Sequence, residues 1–245
     1  MPTHSRSSMP ALQPLLVAAV VGALAGAYAS RWRMYKDSIY QGFGARRFAG
    51  SVAVGAIVAM ALKTLFQLRL PEPAAVTLLF GLAYAAHRGT YQLWEIFFRR
   101  RDRPDFVISG TFNDGGISVT SRSARIAADL CYVLAVGLFL VALAQLDRSA
   151  AGPATIAKGA LAGLVAGVII ATSGAWKNAP TDGFQMRSFI RSPSITVAFA
   201  LGLSFLTDSY LHLAVAAIGY ERAVVETWKI LCAHIAARLS TGPWA

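Results

Sequence analysis

Charged side chains are scarce in this sequence, since Asp, Glu, Lys and Arg make up only 14% of its 245 residues. A soluble domain usually carries about 25%, so the chain lacks the polar side chains needed to cover a water-facing surface. Acidic residues are the scarcer sign, with 12 Asp and Glu against 23 Lys and Arg. The cations are too few, and too clustered between apolar runs, for a nucleic-acid-binding protein. The class that remains is a polytopic membrane protein.

Cysteine and the common catalytic motifs are also nearly absent. Cys131 and Cys232 both lie in apolar runs, without the Cys or His spacing that holds a metal ion. The sequence has no phosphate-binding glycine loop, zinc-peptidase motif, serine-hydrolase motif or Asp-rich diphosphate site. We therefore predict no metal and no cofactor. An enzyme is the less favoured reading, although the sequence leaves it open.

Long apolar runs are what the sequence has instead. A transmembrane helix needs about 20 predominantly apolar residues. The runs that reach or approach this length are 11–30, 48–68, 74–97, 125–146, 155–174, 193–209 and 211–235. They predict an all-α polytopic membrane protein with seven transmembrane helices. The first run resembles a secretory signal, but the cations that follow it at 31–47 favour a retained helix.

Lys and Arg alternate between the loops and predict the orientation. They concentrate in 31–47, 98–125 and 175–191, as is typical of cytoplasmic loops. The prediction is a cell-membrane protein with an outer N-terminus and a cytoplasmic C-terminus, and its Ala-, Gly- and Arg-rich composition suits a bacterial inner membrane. In loop 98–125, the runs 106–109 and 117–120 flank Asn113-Asp114-Gly115-Gly116 and predict a small hairpin.

The sequence also resembles itself. At a constant shift, spans one and two align with spans five and six, and the third spans align after a shorter turn. The matched pairs are Lys36 with Lys177, Phe43 with Phe184, Arg46 with Arg187, Ser51 with Ser192, Arg88 with Arg222 and Trp94 with Trp228. They predict two parallel three-helix repeats joined by a linker helix (3+1+3): 1–98, then 99–150 with the hairpin and the linker, then 151–245.

Arg88 and Arg222 are the leading candidates for a site. Each lies about 15–20 Å along its predicted helix at 1.5 Å per residue, where a charge costs at least about 2.5–3.5 kcal/mol. Glu226 follows Arg222 by one helical turn and is available as a partner. The pair predicts either an intramembrane anion site or two arginines that extend toward the membrane surface.

The loops between the first two helices of each repeat carry a second candidate site. One copy has Lys36, Asp37 and Arg46, and the other has Lys177, Asp182 and Arg187. Brought together, the four cations would form an anion-attracting basin, and the two carboxylates could assist metal-dependent phosphate chemistry. The alternative is that these cations only fix the topology and contact anionic phospholipids.

Three functions follow from these features. The first is a carrier or channel for a small anionic solute, with the lipid bilayer and anionic phospholipids as its other partners. The second is a membrane enzyme that acts on a phosphorylated lipid or isoprenoid at the cytoplasmic face. The third is a non-catalytic subunit or assembly factor of a membrane complex. The chain would work as a homo-oligomer or within a larger complex, and no nucleic-acid partner is expected.

Overall fold

The computed structural model describes residues 12–41, 43–94, 113–114, 117–118, 121–149, 155–182 and 184–240; for 32–33, 36–41, 176–182, 188, 233–240 and the hairpin it describes the backbone alone. Within these residues the chain forms seven helices and one minimal hairpin. In chain order they are α1 (Leu12–Gln41), α2 (Ala45–Leu65), α3 (Pro73–Leu93), β1 (Asn113–Asp114), β2 (Ile117–Ser118), α4 (Arg122–Ser149), α5 (Thr155–Asp182), α6 (Met186–Leu203) and α7 (Tyr210–Ser240).

Four of these helices are long and apolar enough to cross a membrane, which supports the predicted membrane location. Their apolar segments are Leu12–Arg31, Ala45–Leu65, Arg122–Ser149 and Thr155–Ala175. The apolar part of α6, Phe189–Leu203, is shorter, and α3 and α7 carry buried ionisable residues such as His87 and Glu221. In α3 and α7, these ionisable side chains are therefore part of the packed interior.

The observed elements differ from the prediction in two loops, in one span and in the hairpin. Most of the predicted loops 31–47 and 175–191 are helical, because α1 continues to Gln41 and α5 to Asp182. The predicted span 193–209 is displaced, since α6 begins at Met186 and contains Pro193 within the helix. The predicted hairpin has only two residues in each strand, with Asn113 opposite Ser118, and its predicted first strand at 106–109 lies outside the described residues.

The helices pack in two groups that meet through α3 and α7. α1 contacts α2 and α3, and α5 contacts α6 and α7, whereas α4 packs mainly against α7. The two groups approach closely where α3 crosses α7: a Cβ atom on Gly81 would lie 2.8 Å from the carbonyl oxygen of Ala216. Since a real Cβ does not come so close to another backbone, glycine permits this approach.

Several helix ends meet at one end of the bundle. The Phe66 ring after α2 lies 4.9 Å from the His212 ring at the start of α7. Near the end of α4, Asp147 accepts a hydrogen bond of 2.5 Å from the Tyr210 backbone, which satisfies one of the donors that a helix start leaves open. Thr155, which begins α5, lies 3.5 Å from Asp208. We call this the Asp147 end of the bundle.

Candidate functional site

A buried ion pair joins α3 to α7 on the C-terminal side of their crossing. Arg88 Nη2 lies 2.6 Å from Glu226 Oε1, and the Tyr84 hydroxyl donates a hydrogen bond of 2.5 Å to Glu226 Oε2. Tyr84 and Arg88 are one helical turn apart, so they project from the same face of α3. Tyr84 and Glu226 are both buried. Both carboxylate oxygens of Glu226 are therefore held by donors from α3.

Helix α1 contributes a second polar layer beside this pair. Arg31 Nη2 donates to Thr227 Oγ1 over 3.1 Å, and the Tyr28 hydroxyl makes a short hydrogen bond to the same oxygen. Thr227 donates its own proton to the carbonyl of Ala223, so Tyr28 acts as a donor here. The Arg31 guanidinium also lies 4.4 Å from the centre of the Tyr28 ring, within the range of a cation–π contact.

Glu221 is a second carboxylate on α7, and the protein buries it completely. Its Oε1 accepts a hydrogen bond of 2.7 Å from Ser192 on α6. Its Oε2 lies 3.4 Å from Arg222 Nε and has no hydrogen-bond partner among the residues that the structure describes. This carboxylate is therefore held less tightly than Glu226, although it is the more deeply buried of the two.

On the other side of α3, His87 contacts α2. Its Nε2 lies 3.0 Å from Ser51 Oγ, and Ser51 donates its proton to the carbonyl of Gly26 over 3.0 Å. Because that proton is already used, His87 Nε2 must be the donor to Ser51. The imidazole therefore carries a proton on Nε2.

Two further cations extend the cluster along α6 and α7. Lys229 lies one turn beyond Glu226 and interacts electrostatically with Arg191, Arg222 and both carboxylates. Arg191 Nε is buried and has no hydrogen-bond partner within the described part of the chain. The same holds for Arg88 Nε. We call the set Arg88, Arg191, Arg222, Lys229, Glu221 and Glu226 the α3/α6/α7 charge cluster.

The structure brings together the predicted candidates Arg88, Arg222 and Glu226. The expected partner of Glu226, Arg222, lies beside Glu221 instead, and among the described side chains Glu226 pairs with Arg88 on the other group of helices. Arg88 and Arg222 lie about 22 and 18 Å along helices that begin at Pro73 and Tyr210, at 1.5 Å per residue. The first distance is slightly beyond the predicted range of about 15–20 Å, and the depth of both residues in a membrane stays a prediction.

The loop candidates fall elsewhere. Arg46 and Arg187 are exposed in the first turns of α2 and α6. Next to them, the exposed Phe43 and Phe184 contact Phe48 and Phe189, with ring centres 5.9 and 5.5 Å apart. The side chains of the remaining candidates lie outside the described residues: Lys36, Asp37, Lys177 and Asp182.

Sequence reasoning missed several residues in or beside the charge cluster. Tyr84 precedes Arg88 by one helical turn, and Lys229 follows Glu226 by three residues, so helical spacing alone could have placed both on the relevant faces. Ser192 carries no such signal, because its role depends on which helix lies opposite Glu221.

Comparisons with known proteins add no assignment. No family model matches the chain, and no curated protein or solved structure is significantly similar to it. The geometry of the charge cluster is therefore the basis for a functional conclusion.

Proposed function

We propose that this protein is a multi-pass membrane carrier for a small anionic solute, which binds at the α3/α6/α7 charge cluster. One observation carries the proposal: Arg88 pairs with Glu226 and Arg222 lies beside Glu221 where the two groups of helices meet, and Lys229 and Arg191 extend this set of charges along α7 and α6. Counted over the side chains that the structure describes, the two carboxylates offset only part of the charge of the three arginines. A bound anion would compensate the rest.

The hydrogen-bonding state of the cluster supports an anion as the ligand. Burying a charge costs several kcal/mol unless it is paired and hydrogen-bonded. The Nε atoms of Arg88 and Arg191 are buried donors without acceptors among the described residues. An oxyanion or halide supplies the acceptors that these donors lack, because guanidinium groups bind anions through charge-assisted hydrogen bonds.

Equivalent contacts in the two groups support the predicted duplication as part of this proposal. Ser51 contacts His87, and the matched Ser192 contacts the matched Glu221. The Phe43–Phe48 contact has its counterpart in Phe184–Phe189. Carriers built from parallel repeats move one repeat against the other around a site between them, and the Arg88–Glu226 pair joins the two groups here.

The Asp147 end supports the seven-span arrangement. The ends of α2 and α4 both contact the start of α7 there. Since α2 and α4 are each able to cross a membrane, the chain between them must return across it, and α3 is the helix available. The same reasoning applies to α6, because α5 and α7 both begin at this end. The charge bias of the loops then makes the Asp147 end the outer one.

Tracer uptake into proteoliposomes tests the proposal. The probes are radiolabelled chloride, sulfate and lactate, measured against liposomes without protein. We expect uptake of at least one of these anions, and Arg88→Lys should lower its initial rate about tenfold or more, because the ammonium keeps the charge but loses the forked donors worth about 1.5–3 kcal/mol. Arg222→Leu should do the same by removing the charge.

The matched control is Arg148→Gln, which removes an exposed cation at the Asp147 end of α4. It should leave uptake unchanged. No uptake of any of the three anions would contradict the carrier proposal. Equal losses in Arg148→Gln and Arg222→Leu would show that net charge, and not the cluster, governs the flux.

A further inference from the structure

Glu226 occupies the place that an anion would take on Arg88. Its Oε1 lies 2.6 Å from Arg88 Nη2, at the distance of a strong charge-assisted hydrogen bond. A solute anion that takes both donors of this guanidinium edge, Nη2 and the Nε that the described residues leave open, must displace this carboxylate. The displaced carboxylate would keep the Tyr84 hydroxyl as a donor but would lose its closest cation in a packed interior.

A buried carboxylate that loses its cation is unstable in its ionised form. An uncompensated buried charge costs several kcal/mol, and the usual response of the group is to take up a proton. The solute anion would also weaken the field that the surrounding cations exert on Glu226. Anion binding and protonation of Glu226 therefore favour each other, and this coupling must be reciprocal.

We infer that Glu226 is a proton-binding site and that the protein carries one proton together with each solute anion. The inference rests on the proposed carrier function. The proton enters on Glu226 Oε1 as the anion takes over Arg88 Nη2, and it leaves when the anion dissociates on the other side and the ion pair closes again. In the protonated state, the Oε1 hydroxyl can itself donate a hydrogen bond to the anion.

The groups around Glu226 favour this role. Helix α3 supplies Arg88 and Tyr84, and α1 supplies Tyr28 and Arg31 through the adjacent Thr227. Helix α7 supplies Glu221, Arg222 and Lys229, and α6 supplies Arg191, which interacts with Lys229. The titratable or charged residues that face or adjoin it are Tyr28, Arg31, Tyr84, Arg88, Arg191, Glu221, Arg222 and Lys229. Most are cations, and a bound anion would neutralise part of their charge.

Glu221 does not fit the same role. Ser192 donates to it, and its contact with Arg222 Nε is longer, at 3.4 Å. Its Oε1 is held by a neutral hydroxyl, so an incoming anion does not need to displace Glu221 to reach a guanidinium edge. Glu226 differs from Glu221 because it and the solute anion compete for the same edge of the Arg88 guanidinium.

Proton uptake on anion binding can be measured directly with the full-length protein in detergent. Neutral sodium chloride, sodium sulfate or sodium lactate is added to weakly buffered protein near pH 7 with a pH-indicator dye, and bound anion is measured in parallel by equilibrium dialysis with the tracer. These anions do not titrate near this pH. We expect the solution to become more alkaline by about one proton for each anion bound.

The wild-type protein alone separates the two proposals. If none of the three anions binds, the carrier function is wrong. If an anion binds without proton uptake, the anion site stands and the proton site is wrong. Anion affinity should also rise as the pH falls from 8 to 6, by up to about tenfold per pH unit, since one proton is taken up. A pH-independent affinity would overturn the inference.

Glu226→Gln identifies the residue, because glutamine retains an acceptor for Tyr84 but cannot ionise. Anion binding to this variant should take up no proton and should not depend on pH. Glu72→Gln is the matched control, since Glu72 is an exposed carboxylate before the first turn of α3, and it should behave like the wild type. Undiminished proton uptake in Glu226→Gln would exclude Glu226 as the site.

Discussion

The two buried carboxylates of α7 show how single residues can differ on one helix. Glu226 has a donor on each oxygen, Arg88 and Tyr84, and both come from α3. Glu221 has a strong donor on one oxygen only, Ser192 from α6. A buried charge relies on every hydrogen bond it has. The stability of the α6–α7 contact should therefore depend strongly on one hydroxyl group.

Ser192→Ala tests this dependence. The substitution removes the only short hydrogen bond of Glu221 among the described residues, so we expect the free energy of unfolding to fall by about 1.5–3 kcal/mol, the range for a hydrogen bond to a charged group. Ser194→Ala is the matched control, because Ser194 lies on the same helix, is exposed and bonds only to the Ile190 carbonyl. Unfolding in mixed micelles measures both. Equal small losses would show that Ser192 does not stabilise Glu221.

At the scale of helices, the close crossing of α3 and α7 positions the ion pair. Successive contacts from Thr77–Tyr220 to Tyr84–Glu226 advance in the same direction along both helices, so the two run parallel. Gly81 allows the backbones to come close enough for Tyr84 to reach Glu226. The position of the crossing therefore determines which side chains of α3 and α7, such as Tyr84 and Glu226, can meet on its C-terminal side.

Gly219→Ala should disturb this crossing. Its Cβ would overlap the backbone of Gly81, so the helices must separate, and we expect a loss of about 1–3 kcal/mol in unfolding free energy, as for other overpacked sites. Gly202→Ala is the control, since a Cβ there has open space within 4 Å, and alanine is favoured over glycine in a helix. Stability of both variants in detergent gives the answer. A neutral Gly219→Ala would mean that the crossing is not close.

The sequence predicted where the apolar parts of the helices lie, but not where the helices end or which side chains meet between them. Hydropathy located the apolar parts of α1 and α5, which are long enough to cross a membrane. It marks only where the apolar residues end, and both helices continue through polar residues to Gln41 and Asp182. The interior Pro193 could not be placed from the sequence because proline is usually a helix start or break. The Arg88–Glu226 pair depends on how α3 and α7 are rotated about their axes relative to each other. The spacing of residues along one helix does not predict that rotation, so the pair could not be predicted from the sequence.

For the whole molecule, the central question is how many helices cross the membrane. Among the described residues, α1, α2, α4 and α5 are the helices long and apolar enough to cross a membrane, whereas the contacts at the Asp147 end favour seven crossings with alternating directions. The described apolar part of α6, Phe189–Leu203, is short. In α3 and α7 polar residues explain the difference, because His87, Glu221 and Glu226 are buried against other helices. Such residues lower mean hydropathy without facing lipid.

Cysteine labelling distinguishes seven crossings from four. In a variant with Cys131 and Cys232 replaced by alanine, single cysteines are placed at four exposed arginines, Arg46, Arg69, Arg148 and Arg187, and reacted with a membrane-impermeant maleimide on intact and permeabilised cells. Seven crossings put Arg69 and Arg148 outside and Arg46 and Arg187 inside. If only the four most apolar helices crossed, α4 and α5 would be inverted, so Arg187 would react from outside and Arg148 from inside. Labelling of Arg46→Cys and Arg187→Cys from opposite sides would therefore rule out parallel repeats, and with them a shared site between two equivalent groups of helices.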